Sequence, residues 1–165
     1  VARLALEPLT SEAFAAFGDV LDARAPCERF AINDGRTQRH HAISRVQCAA
    51  GDDSVIISVF RATPVDADFT LRRLERHPLG SQAFISLGSH PYAVVVAPPG
   101  ELDESRIRGF LAQPSQGVNY HMGTWHHYLL ALEAASDFVV IDRAGAGDNC
   151  DEQALATPLR MALAS

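Results

Sequence analysis

The side chains best suited to chemistry are histidines near carboxylates and amides. His77 stands two residues after Glu75, and Gln82 follows five residues later. His40 and His41 form an adjacent pair, while His121, His126 and His127 form a second cluster. Imidazole is both a metal ligand and an acid or base near neutral pH. For His40 and His41 a solvated loop explains the pair as well as a site does. For the second cluster the spacing says more, because Tyr120 and Trp125 are interleaved and a tight Met122-Gly123 turn separates the histidines. Such a turn aims side chains from two strands at one volume, which is what metal ligation or proton transfer requires.

The cationic inventory narrows the options. All fourteen basic residues are Arg, so mechanisms that need a lysine Schiff base or an ammonium base are excluded. Arg remains the bidentate partner of a carboxylate, and Arg61 and Arg76 both sit at ends of predicted strands. For Arg61 a plain charged strand terminus is the competing reading. Cys27, Cys48 and Cys150 are odd in number and widely spaced, which argues against a disulfide framework or a zinc finger. Cys150 has no base near it in sequence and reads poorly as a nucleophile.

The elements that must hold these residues are mostly strands. Thr10 can cap a short helix carrying Glu12, Phe14 and Phe17, with Gly18 as its stop. Asp22 to Pro26 and Asn33-Asp34-Gly35 are turn formers. From Ser54 onward, short runs rich in β-branched and aromatic residues alternate with Pro- and Gly-containing breakers. The runs are 55–61, 69–76, 83–87, 92–97, 107–111, 117–121, 128–132 and 138–142. Eight antiparallel strands at this spacing predict an all-β sandwich, jelly roll or barrel. In 92–97 both faces are apolar, as expected of a strand buried between two layers. Arg73, Glu75 and His77 share one strand face, and Asn119 and His121 share another. Polar groups on such faces point to a ligand cavity.

Size and charge bound the rest. A chain of 165 residues predicts one domain spanning 1–165. With 47% hydrophobic and 21% charged residues it should fold. A net charge of −6 repels polyanions, so neither nucleic acid nor an anionic membrane is an expected partner, and a small molecule is. The absence of a long apolar run and of a disulfide pattern predicts a cytoplasmic setting. The start at Val1 rather than Met points to processing.

The stretch Glu75-Arg76-His77-Pro78-Leu79-Gly80-Ser81-Gln82 resembles the first motif of the cupin superfamily, with Glu75, His77 and Gln82 at its ligand positions. His121-Met122-Gly123-Thr124-Trp125-His126 is similar to the second motif, with His126 as the fourth ligand. Longer stretches are more specific. Residues 74–84, 117–127, Ile141-Asp142-Arg143 and Gly147-Asp148-Asn149-Cys150-Asp151, with Ile32-Asn33-Asp34-Gly35 and Glu7-Pro8-Leu9-Thr10, resemble the bacterial ureidoglycolate lyases. That resemblance implies a cupin-type antiparallel β-barrel, a homodimer, and cleavage of ureidoglycolate to glyoxylate and urea in allantoin breakdown.

On this resemblance Glu75, His77, Gln82 and His126 would line a position for a divalent metal such as nickel, zinc or manganese, with no organic cofactor. Catalytic proton exchange would fall to Glu75, His121, His126 or His127. Arg61 or Arg76 would hold the substrate carboxylate, and Asn119 on the polar face and Trp125 as a cavity wall would join them in binding substrate, with core packing the competing reading for Trp125. Residues 142–151 read as a structural turn with Asx capping. The competing functions are an amidohydrolase that releases ammonia from the same substrate, and a non-catalytic cupin that binds a small acid.

Overall fold

The computed structural model describes residues 1–66 and 68–162. Its strands are β1 (Ala2–Pro8), β2 (Gly18–Leu21), β3 (Glu28–Ile32), β4 (Thr37–His41), β5 (Ser54–Ala62), β6 (Thr70–Arg76) and β7 (Gln82–Ser86), followed by β8 (Tyr92–Ala97), β9 (Arg108–Ala112), β10 (Gly117–Tyr120), β11 (Trp125–His126), β12 (Leu130–Ala131), β13 (Ser136–Ala144) and β14 (Asp151–Ala162). One α-helix, α1 (Ser11–Phe14), lies between β1 and β2.

One sheet runs β11-β6-β14-β1-β9-β8-β12, and β11 also pairs with β8. That extra pairing closes six strands into a barrel. A second sheet, β2-β10-β7-β13-β5, packs on one side of it, and β3 with β4 forms a separate hairpin. The all-β, cupin-type architecture expected from the sequence is therefore present.

Strand β8 explains how these layers share material. Its residues alternate between two cores, so no face of it meets water. Tyr92, Val94 and Val96 join Phe84, Val118, Tyr120, Phe138 and Val140 of the second sheet, with Phe14 and Phe17 closing one end. Ala93, Val95 and Ala97 join Leu74, Trp125, Leu130 and Met161 in the other cluster. Tyr92 is wholly buried, and its hydroxyl donates to Gln116 O at 2.6 Å, so this buried polar group is satisfied.

Several expectations change in detail. Thr10 caps α1, its Oγ1 accepting from Ala13 N at 3.2 Å, but the helix is a single turn. Gly18 is not a helix stop. It begins β2, and a Cβ there would lie 2.0 Å from Asn119 O, so glycine is required by a close backbone approach. The sheet is not purely antiparallel, because β1 pairs parallel with both β14 and β9. Neither β1 nor β14 was expected as a strand. Their Ala, Leu, Glu, Gln and Arg are helix formers, and long-range pairing overrides that local preference. The Asn33-Asp34-Gly35 turn is present, with φ of 54°, 56° and 78°, and it joins β3 to β4.

The core shared by the two sheets makes a first prediction. Phe138 is wholly buried, and its ring packs edge-on to Tyr92 with centroids 5.0 Å apart. Phe138→Ala should lower unfolding stability by about 3–5 kcal/mol, read from the denaturant midpoint at unchanged slope. A loss under about 1 kcal/mol would show that this layer does not hold the fold.

Candidate active site

A cavity of about 640 Å³ lies between the barrel and the second sheet. From the second sheet, β5 contributes Phe60 and Arg61, and β7 contributes Gln82 and Phe84. From the barrel side come Glu75, His77, Tyr128 and Leu129, with Val65 beside them. The polar groups are concentrated on Glu75, His77 and Gln82, and the remaining walls are largely apolar.

Register brings the key residues together. On β6 and β11, Glu75 is paired directly with His126, so both side chains take the same face of the barrel. Glu75, His77 and His126 can present ligand atoms that all lie within 4.8 Å of one another. His126 is 1% exposed. Its ring stacks on Tyr120 at 4.4 Å and lies 5.0 Å from the His77 ring. Burial is the main cause that pushes its pKa down to about 3, with the nearby His77 adding to it. His126 is therefore neutral at physiological pH, and its 3.8 Å approach to Glu75 is a contact between a neutral ring and a carboxyl. Nδ1 lies 3.2 Å from His127 O and can donate to it. That leaves Nε2, which is buried and has no hydrogen-bond partner among the described residues.

An unmatched buried nitrogen is costly, and a neutral imidazole with one bare lone pair is what a divalent cation binds. The donor set of two imidazoles, a carboxylate and the nearby Gln82 amide fits such an ion. Burial also raises the Glu75 pKa above the usual carboxylate range, an effect that His77 and Arg73 partly oppose.

Supporting groups hold this constellation. His77 Nδ1 donates to Asn149 O at 2.6 Å, and His77 Nε2 lies 3.1 Å from Gln82 Oε1. Gln82 Nε2 donates to Asp142 Oδ2 at 3.2 Å. Asn149 Oδ1 accepts from Leu79 N at 2.7 Å, fastening the loop after β13 to the turn after His77. The loop is tied in turn by Arg143, which pairs with Asp53 at 2.5 and 2.8 Å and also donates to Ala146 O. Hydrogen bonding from Arg143 lowers the Asp53 pKa. Asn149 was missed as a support of His77 because its contact depends on the pairing of β14 with β6, and Asp53 was missed as the partner of Arg143, ninety residues away.

The comparisons with known proteins agree with this geometry. A family model described as ureidoglycolate lyase matches residues 1–162. The chain belongs to the ureidoglycolate lyase family. Among its relatives, a protein named ureidoglycolate lyase from Pseudomonas savastanoi pv. phaseolicola is 51% identical over 151 residues, covering 91% of this chain and 88% of the relative. One of the same name from Pseudomonas fluorescens is 48% identical over 162 residues, covering 98% and 96%. Relatives from Pseudomonas putida bear that name as well.

Seen as a ureidoglycolate lyase family member, the chain brings only some of the expected residues to the cavity. Glu75, His77 and Gln82 line it, and His126 lies directly beside them. Alternation along β11 sends the neighbours of His126 the other way. Trp125 joins the opposite core, where it donates to Gly100 O. His127 packs against Phe69, away from the cavity. His121 faces Asp19, with Nε2 3.0 Å from Oδ2, and the direct roles expected of His121 and His127 have no geometric support. Asn119 also turns away from the cavity, donating to Ser44 and to Arg45 O. Arg76 stacks over Trp125 and pairs with Asp151. Arg61 borders the cavity but shares the outward face of β5 with Ile57 and Val59, where it is bidentate to Asp137, so the clamp role expected of it has no geometric support either.

The buried imidazoles give a second prediction, for metal-free protein. His126 and His127 have pKa values pushed down to about 3 and about 4 from an ordinary 6.5. Below pH 6.5 the unfolded chain takes up protons that the folded chain refuses, so stability falls as pH falls, by up to about 1.4 kcal/mol per pH unit for each group. Above that pH the two contributions are constant. Glu75, raised above its ordinary 4.5, works in the opposite sense near the acid end of this window. Denaturant melts across the window should show the slope, and His127→Gln should reduce it. A flat profile would contradict burial of neutral rings.

Proposed function

We propose that this chain cleaves ureidoglycolate to glyoxylate and urea. The observation that carries the reading is that Glu75 and His77 line one cavity with His126 within ligating reach of both, in a chain of this family. Ureidoglycolate is an adduct of urea on the aldehyde carbon of glyoxylate. Cleavage removes the hydroxyl proton, forms the C=O, breaks the C–N bond and returns a proton to the departing nitrogen. Glu75, with its pKa raised by burial, is suited to take the hydroxyl proton and remain a useful acid afterwards. His77, held by Asn149 O, is placed to orient the substrate or share that proton. A divalent cation held by Glu75, His77 and His126, with Gln82 beside them, would supply Lewis-acid stabilisation of negative charge developing on the substrate oxygen.

Urea and glyoxylate should therefore appear in equal amounts, with no ammonia as a primary product. Stoichiometric ammonia without urea would instead identify an amidohydrolase. Chelated protein should keep its fold, lose turnover, and recover it with nickel, zinc or manganese. His126→Ala should match the chelated protein in lost turnover, with a lowered melting temperature because it empties a buried site beside Tyr120. Full activity in chelated, metal-free protein would overturn the cation's role.

The same proposal includes a cytoplasmic setting and a homodimer. No helix among the described residues is long and apolar enough to cross a membrane. Phe60 on β5 faces the cavity, so the alternate residues Val55, Ile57 and Val59 face away, at 49%, 74% and 62% exposure. An edge strand this apolar is a site for association, and a second copy of the chain is the partner proposed for it. Ile57→Glu should turn a dimer into a monomer by sedimentation. Wild-type sedimentation as a monomer would exclude this assembly.

A further inference from the structure

Tyr128 lines the active cavity and also a second one, of about 350 Å³, whose other walls are Phe69, Thr70, Arg72, Arg73 and His127. The strand that supplies the two arginines is irregular there. Leu71 and Leu74 both enter the barrel core, and because their spacing is odd the two-residue alternation of β6 breaks between them. The partner strand β14 shifts register opposite this point, between Ala154 and Leu159. Irregularities of this kind re-aim side chains, and here Arg72 and Arg73 are both exposed and border one space. Arg73 approaches the Glu152 carboxylate at a loose 3.6 Å, and Arg72 pairs with no carboxylate among the described residues. Two adjacent guanidiniums so weakly compensated attract an anion, even in a chain of net charge −6.

His127 supplies a group of the opposite kind. It is 4% exposed, and its backbone N donates to Val95 O at 2.9 Å. A ring buried to this degree stays neutral. Its Nδ1 lies 3.1 Å from Tyr128 O and donates to it, so Nε2 carries the lone pair. Nε2 has no hydrogen-bond partner among the described residues. Phe69 and Tyr128 meet edge-on with centroids 6.3 Å apart, and both rings flank His127. Such an aromatic corner accepts a planar ligand. We propose that this second cavity binds a small planar carboxylate that also carries a hydroxyl or N–H donor. Arg72 and Arg73 hold the carboxylate, Phe69 and Tyr128 pack on the ring, and His127 Nε2 accepts from the donor. The site takes no part in the lyase reaction, and the inference stands apart from that reading.

The probes are 3- and 4-hydroxybenzoate, titrated calorimetrically into the full chain at low salt. The tighter of the two should bind with a dissociation constant of about 1 mM or below, the scale for a ligand of this size. Arg72→Gln, a change at an exposed side chain that leaves the core untouched, should weaken it about tenfold, as expected for a lost hydrogen bond to a charged group. The matching hydroxybenzamide, which lacks the charge, and benzoate, which lacks the donor, should each bind at least about fivefold more weakly. Nitrogen NMR should show the Nε2 resonance of His127, assigned with His127→Gln, moving as the probe is added. No binding of either probe at about ten times the stated concentration would overturn the inference. Equal affinity for wild type and Arg72→Gln would overturn it too, by placing the probe elsewhere, the active cavity included. Benzoate binding as tightly as the hydroxybenzoates, or a His127 resonance that ignores the probe, would overturn the part given to Nε2.

Discussion

His126 is a neutral ring, sealed between two apolar layers, with one nitrogen left unmatched. Burial prevents it from charging, and stacking on Tyr120 fixes its plane. A side chain under that constraint cannot rotate away to find water. The pairing of β11 with β6 puts Glu75 beside the ring, 3.8 Å from Nδ1, and a bound cation would supply what Nε2 lacks. The chemistry of the site follows from a local deficit that the fold maintains.

The barrel makes the deficit affordable because its stability comes from elsewhere. Tyr92, Val94 and Val96 serve one core and Ala93, Val95 and Ala97 the other, so β8 is anchored on both faces. The polar groups lie where the second sheet ends at β5 and the layers part. Loops at that end carry the supporting contacts. Asn149 and Leu79 tie two of them together, and the Arg143–Asp53 pair fixes the one after β13. Supporting shells of this kind set the orientation of ligating imidazoles.

Much of this was legible in the residue order. The alternation of 92–97 indicated a strand apolar on both faces, and the Glu75-x-His77 spacing put two site residues on one strand face. Alternation also explains the errors. His121, Trp125 and His127 are close to His126 in sequence, yet a period of two residues sends the flanking side chains of β11 to other environments. Apart from the motif resemblance that ends at His126, nothing local distinguishes His126 from His127. The distinction comes from pairing with Val96 and Glu75. The strands β1 and β14 were hidden for a related reason: they are made of helix-forming residues, and their conformation is set by partners distant in sequence, such as Leu159 for Ala2 and Gly109 for Leu6. Arg61 and Arg76 looked like clamps until Asp137 claimed the first and Trp125 with Asp151 the second.

The state of His126 is open to direct observation by nitrogen NMR of ring-labelled histidine, assigned with His126→Ala. Metal-free protein at neutral pH should show this ring singly protonated, at Nδ1, with the resonance of the bare nitrogen shifting when zinc is added. A doubly protonated ring, or a ring whose resonances ignore zinc, would contradict the account.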